Sequence, residues 1–320
     1  MKAAVLHTLG KAPRFDEFAD PTVGKDEAVV RVRAASLKAV DLQMASGSHY
    51  ASPRQLPAVC GTDGVGDLED GTRVFFGGPR RPYGAMAERT VAPRAFCFPV
   101  PAGIDDETVA ALPNPGVSAW LSLTHRAKLA PGETVLILGA TGVTGQLAVQ
   151  IAKLLGAKRV IGAGRNARRL DRLRELGADA TIQLEQAEDI LKEAFARATG
   201  EAGFDVIIDY VWGRPTETLL AAITKSEFAA VTKETRLVQV GESAGATIAL
   251  PAAVLRSTAL TILGTAGIPG REVLVEAMQQ VLARGGRGEL RIETERVPLA
   301  EIEKVWGRPE ESGRRIVVIP

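Results

Sequence analysis

A chain of 320 residues with 46% hydrophobic side chains can bury two cores, and its length points to two domains. Its 39 basic and 38 acidic side chains leave a net charge of +1, which argues against nucleic acid or an anionic membrane as the main partner. Two cysteines, Cys60 and Cys97, exclude a disulfide framework and a four-cysteine zinc site. No apolar run approaches the ~18 residues of a membrane span, and the apolar stretch of "MKAAVLHTLG" is too short for a secretory signal, so a reducing cytoplasm is the expected setting.

In chain order, residues 1–115 read as short strands broken by Gly and Pro: "KAAVLH", "EAVVRVRAAS", "GTRVFF" and "GAMAERTVAP". That pattern predicts a mostly antiparallel, barrel-like domain. "ALPNPGVSAWLSLTHRAKLAPGE" follows as a turn and a helix closed by Pro131 and Gly132. From Thr134 the pattern alternates. Strands are predicted at 134–139, 158–163, 180–184, 204–210, 236–241 and 260–264, with helices at 145–155, 166–176, 187–198, 215–223 and 251–257. Such alternation calls for a parallel sheet covered on both faces, an α/β architecture. An amphipathic helix, "REVLVEAMQQVLARGG", then leads to two short strands ending in "RRIVVIP", which look antiparallel and return to the first domain.

The first βα junction carries the chemistry. After "TVLIL" come Gly139, Ala140, Thr141, Gly142, Val143, Thr144 and Gly145, then the apolar stripe of a helix that Gly156 is placed to cap. A dinucleotide site needs a glycine for the tight turn, one for backbone approach to the pyrophosphate and one for helix packing. Ala140 stands where the usual spacing has its first glycine. The N–H groups at 142–147 are then expected to face the pyrophosphate.

The next strand selects the nucleotide. An NAD site usually ends it with an acid for the ribose 2′-hydroxyl. Here it ends in Gly164 and runs into Arg165, Arg168 and Arg169, suited to a 2′-phosphate. NADPH is therefore the expected cofactor; the competing reading makes these arginines a solvated helix face.

Taken together, these stretches resemble the medium-chain dehydrogenase/reductase superfamily, specifically its zinc-free quinone oxidoreductase branch, which contains zeta-crystallin. "AASLKAVDLQ", "LPAVCGTDGVG", "ALPNPGVSAWLSL", "LILGATGVTGQLAVQIAKLLGA", "FDVIIDYVWG" and "RLVQVGESAG" have the order and spacing of that family. The resemblance implies a GroES-like β-barrel domain, 1–118 with 266–320, and a Rossmann doubly wound domain, 119–265. It implies a homodimer formed through 246–265, nicotinamide contacts from Ser118, Tyr210, Val211, Val240, Gly241 and Glu242, and closure by 265–269. Tyr210, Val211 and Trp212 replace the family's Ser-Val-Gly.

Alignment with zinc-dependent relatives puts Lys38, Thr62, Asp63 and Asn114 at the metal-ligand positions, a set that does not make a zinc site. Cys60 reads as a small buried hydrophobe. Without a metal, the expected reaction is hydride delivery to an activated acceptor, a quinone or an α,β-unsaturated carbonyl, where the developing anion needs only hydrogen-bond donors. Lys38, Tyr50 and Gln43 are the candidate catalytic residues; the alternatives for Lys38 are a salt bridge with Asp41 or a solvent-directed tail. Two other functions stay open: a 2-enoyl-thioester reductase, and a non-catalytic, crystallin-like NADPH sensor.

Overall fold

The computed structural model describes residues 1–224, 234–265, 270–308 and 313–320. The chain falls into two units, Met1–Asn114 with Leu282–Pro320, and Pro115–Val281. The sequence reading divides at 118/119 and 265/266.

The amino-terminal part of the first unit holds β1 (Lys2–Leu6), β2 (Arg14–Glu17), β3 (Glu27–Ser36), α1 (Ala39–Ser46), β4 (Ala58–Val59), β5 (Asp63–Asp67), β6 (Arg73–Gly77), β7 (Arg89–Pro93), β8 (Cys97–Pro99) and α2 (Asp106–Ala111). Strand β3 organises it. Its sequence EAVVRVRAAS alternates buried and more exposed positions until Ala34–Ser36, all buried, and it pairs antiparallel with both β5 and β7. Leu6, Val30, Phe76, Met86 and Ile316 are buried together in its core.

The second unit contains most of α3 (Pro113–Leu121), followed by β9 (Thr134–Leu138), α4 (Val143–Leu154), β10 (Arg159–Gly164), α5 (Ala167–Glu175), β11 (Ala180–Gln183), α6 (Glu188–Thr199), β12 (Val206–Asp209), α7 (Gly213–Ile223), β13 (Thr235–Gln239), α8 (Ala252–Ser257), β14 (Leu260–Gly264) and much of α9 (Arg271–Gly286). Every strand and helix expected between 134 and 264 is present, with ends shifted by no more than two residues. The sheet is parallel, in the order β11-β10-β9-β12-β13-β14. Runs such as VLIL and VIID are buried throughout, as strands covered on both faces must be. Strand order reverses between β9 and β12. Ligands of open α/β sheets bind at such a switch point, beyond the carboxyl ends of the strands.

The chain closes with β15 (Glu293–Pro298), α10 (Ile302–Val305) and β16 (Arg314–Ile319). Three sequence readings change here. β15 and β16 run parallel, not antiparallel, because the helical turns of 299–305 carry the chain across; β16 instead pairs antiparallel with β3. "LPNPG" is not a turn. Pro113 opens α3, where the missing N–H of a proline costs nothing, and Pro115 is still in its first turn. Of "GAMAERTVAP" only Arg89–Pro93 is a strand.

Candidate cofactor site

The β9–α4 turn lies on one side of the switch point. Gly139 has φ +80°, and a Cβ there would lie 2.9 Å from Val211 Cγ1 and 3.1 Å from Tyr210 Cβ, so the turn and the segment after β12 are packed against each other. Gly145 serves packing of a second kind. A Cβ on it would overlap the Gly139 carbonyl oxygen and lie 2.6 Å from Ala140 Cα, backbone atoms that cannot yield. Gly142 is the N-cap of α4 and offers no side-chain acceptor, which leaves the first N–H groups of the helix, those of Val143, Thr144 and Gly145, without intrahelical partners. With the positive end of the helix dipole behind them, they form an anion cradle.

Ala140 fits where a glycine was expected because its neighbour yields the space. It is fully buried, its N–H donates to Ala163 O at 2.8 Å, and its methyl faces Gly162 of β10. A Cβ on Gly162 would lie 3.2 Å from that methyl and 2.7 Å from Leu173 Cδ1. Thr141, buried, lies over Gly164, where a Cβ would come within 2.7 Å of its hydroxyl. The glycine that replaces the usual acid at the end of β10 is thus required by the threonine above it. Gly156 caps α4 with φ +85° and its N–H on Lys153 O, as expected.

Beyond Gly164, Arg165 and Arg168 are exposed and have no carboxylate partner among the described residues. Asn166 caps α5, accepting from the Arg169 N–H at 3.3 Å. Arg172 and Arg174, by contrast, pair with Glu175 and Asp171 on the same helix. Within the basic segment Arg172 and Arg174 are thus already paired, Arg169 is half-buried in the first turn of α5, and Arg165 and Arg168 are left for an anion.

On the other side of the switch point, Asp209 shapes the β12–α7 turn. It is fully buried; Oδ1 accepts from the Val211 and Trp212 N–H groups, both at 2.8 Å, and Oδ2 accepts from the Thr216 hydroxyl at 2.6 Å. This clamp holds Trp212 at φ +55° and brings Tyr210 against Gly139. The Asp209 carbonyl accepts from Val240 and Gly241, which joins the end of β13 to the same cluster. A Cβ on Gly241 would lie 2.7 Å from the Tyr210 carbonyl oxygen. The structure thus gathers Gly139–Gly145, Gly164, Tyr210, Val211, Val240 and Gly241, with Glu242 exposed just beyond. Ser118 is half-buried on α3, and 266–269 lie outside the described residues. Sequence reasoning missed Asp209, Thr216 and Gly162. An Asp ending a buried strand just before a turn was the available signal for the first.

Burial pushes the Asp209 carboxyl above the usual carboxylate range, with the Thr216, Trp212 and Val211 hydrogen bonds working against that rise. A carboxyl raised on folding opposes the fold progressively as pH climbs from its unfolded value through its folded one. Asp209→Asn is therefore expected to melt at or above the wild-type temperature at pH 8, with the difference vanishing towards pH 4. Asp209→Ala strands three donors and is expected to cost about 3 kcal/mol and to weaken nucleotide binding; thermal melts by circular dichroism check both.

The expected catalytic residues lie in the first unit. Lys38 is buried, and its ammonium donates to Asp63 Oδ1 at 2.9 Å, Ser36 O at 3.0 Å and Ser36 Oγ at 3.3 Å, with Asp41 Oδ2 at 3.4 Å. The salt-bridge alternative is what the structure contains, enlarged by Asp63, and it leaves no free proton for a substrate oxygen. Burial pulls the ammonium down, but Asp41 and Asp63 together outweigh it and hold it above its ordinary range. Gln43 is exposed on α1. Tyr50 is 94% exposed and tilted onto the His49 ring at 4.2 Å between centroids. Cys60 is buried, its thiol pushed up to about 12 by burial and by the nearby Asp41. Among the described residues no helix is long and apolar enough to cross a membrane.

A family model described as zinc-binding dehydrogenase matches residues 143–284, a span that begins at α4 and includes none of Lys38, Thr62, Asp63 and Asn114. The quinone oxidoreductase-like protein 2 homolog of Nematostella vectensis is 28% identical over 265 residues, covering 79% of this chain and 69% of that protein. A 2-methylene-furan-3-one reductase of Solanum lycopersicum is 29% identical over 208 residues, covering 60% of this chain and 51% of that protein. The quinone oxidoreductase of Thermus thermophilus, whose structure is also known in complex with NADPH, is 30% identical with a TM-score of 0.81 over the whole of both chains. With its GroES-like and Rossmann architecture and its glycine cradle for a nicotinamide cofactor, the chain belongs to the medium-chain dehydrogenase/reductase superfamily, in its zinc-free quinone oxidoreductase branch.

Proposed function

We propose that the protein is an NADPH-dependent reductase that transfers hydride to a quinone or an α,β-unsaturated carbonyl without using zinc. One observation carries the choice of cofactor: β10 ends in Gly164, which Thr141 keeps free of a side chain, and the next residues present Arg165 and Arg168 unpaired. An acid that would accept from a ribose 2′-hydroxyl is replaced by guanidinium forks that suit a 2′-phosphate.

When bound, the nicotinamide supplies the hydride; the chain supplies position and charge. The N–H groups of Val143, Thr144 and Gly145 hold the pyrophosphate, and Asp209 fixes the turn carrying Tyr210 and Val211 beside it. In the acceptor, charge develops on a carbonyl oxygen already conjugated to the reacting carbon, so hydrogen-bond donors suffice. Lys38 is committed elsewhere. Tyr50 and Gln43 remain as the donors in this reading. The tomato relative supports an enone as an acceptor beside the quinone of the other relatives' names, since a 2-methylene-furan-3-one is an α,β-unsaturated ketone.

Steady-state oxidation of NADPH and NADH, with a panel of quinones, enones and 2-enoyl-thioesters, tests the proposal. Turnover confined to thioesters would move the assignment to a 2-enoyl-thioester reductase. Tight NADPH binding without turnover on any acceptor would leave a sensor.

The proposed assembly is a homodimer. Among the described residues β14 is hydrogen-bonded only to β13, its apolar side chains are half-buried, and Leu250 and Leu255 in the segment before it are exposed. Sedimentation is expected to give about twice 33.8 kDa, and Leu255→Asp to shift it towards the monomer. A wild-type monomer at micromolar concentration would contradict this.

A further inference from the structure

The description of the matching family names zinc, and the residues that stand at the metal-ligand positions of zinc-dependent relatives lie outside the matched span, in the first unit. They are Lys38, Thr62, Asp63 and Asn114, and the first of them brings a cation of its own. The Lys38 ammonium is enclosed by four oxygens, two of them carboxylate, at 2.9–3.4 Å. Around it, Asp41 Oδ2 also accepts from the Lys38 backbone N–H at 2.9 Å, Thr62 donates to Asp63 Oδ2 at 3.3 Å, and buried Arg315 donates to Leu37 O at 3.1 Å. Two positive and two negative buried groups, Lys38 and Arg315 with Asp41 and Asp63, balance. A metal ion added to this cluster would meet the ammonium at contact distance, and no zinc site fits.

We infer that Lys38 is a built-in replacement for a metal ion: its ammonium occupies the centre of an oxygen cage, neutralises Asp41 and Asp63, and closes the cage to divalent cations. Three features of the cage carry this assignment. The ammonium is 3% exposed, so solvent does not share its charge. Its partners come from three segments, the end of β3, the start of α1 and the start of β5, which a central cation ties together as a bound metal would. The donor set is all oxygen, and Asp41 Oδ1 accepts no hydrogen bond among the described residues, so one more cation ligand is available if the ammonium is removed. Lys38 on this reading is a positioning residue, outside the chemistry itself.

Thermal melts of the full chain in EDTA, 5 mM Mg2+ or 5 mM Ca2+ test it. The wild type is expected to melt at one temperature in all three. Lys38→Ala opens the cage and is expected to lose about 10 °C in EDTA and to regain a saturable part of that loss with Mg2+ or Ca2+. Lys38→Met fills the space without charge; it is expected to be destabilised and unresponsive to either ion. If neither single variant folds, the pair Lys38→Met with Asp63→Asn decides. Removing the stranded carboxylate is expected to restore folding, whereas a merely steric role for Lys38 would make the second substitution a further loss. The inference is overturned if Lys38→Ala melts within 2 °C of the wild type, if no divalent ion shifts it, or if the wild type itself responds to Mg2+ or Ca2+.

Discussion

NADPH is expected to bind the double variant Arg165→Ala/Arg168→Ala about 30-fold more weakly than the wild type, with NADH changed less than about threefold. Each arginine is exposed, so a charge-assisted bond to a 2′-phosphate is worth about 1 kcal/mol, and two give about 30-fold. The proposed site confines the effect to NADPH, because it assigns the pyrophosphate, common to both nucleotides, to main-chain N–H groups of α4 that the substitutions leave in place. Arg172 and Arg174 serve as controls. Already paired to Glu175 and Asp171, they are expected to leave the preference unchanged when replaced. Nucleotide fluorescence titration at fixed ionic strength checks all of this, and equal losses for both nucleotides would make the arginines a solvated helix face.

The glycines of the cradle are expected to separate into two behaviours. Gly145→Val forces a side chain into the Gly139 carbonyl and the Ala140 backbone, and α4 must then move off β9. Overpacking of this kind costs about 1–3 kcal/mol where neighbours relax, and more against backbone. The expected result is a melting temperature lowered by about 10 °C and loss of saturable NADPH binding. Gly142→Ala differs. Its φ is −75°, and a Cβ there meets only Gly139 O at 3.4 Å, an ordinary contact. Stability is expected to stay within about 2 °C while affinity for either nucleotide falls, since the methyl stands where the pyrophosphate approaches. If Gly142→Ala bound nucleotide normally, the α4 N-terminus would not be the pyrophosphate site.

How much of this was legible in the sequence follows from the range of the interactions. The parallel sheet was legible strand by strand because each βα unit carries its own signal: a buried run such as VLIL, then a helical stripe with a cap like Gly156. Ala140 could be seen to depart from the usual spacing, but its remedy lies at Gly162, one strand away, and only the packed sheet pairs them. Asp209 lies inside the strand read at 204–210; its three hydrogen bonds reach forward into a turn whose path the sequence does not reveal. Lys38 shows the limit most plainly. Asp41 lies three residues on and was nameable, whereas Asp63 reaches the ammonium only because β3 and β5 pair. The β15–β16 pairing was misread for a similar reason, since strand direction depends on where the intervening helical turns lead.

The central claim is reduction of an activated acceptor by NADPH with no metal involved. Its most direct test is the rate of nucleotide oxidation by EDTA-treated protein supplied with 1,4-benzoquinone or an enone such as 3-buten-2-one. The expected result is sustained oxidation of NADPH, much slower oxidation of NADH at equal concentration, and no change on adding zinc. Turnover that appears only after zinc is added, or a preference for NADH, would contradict the account.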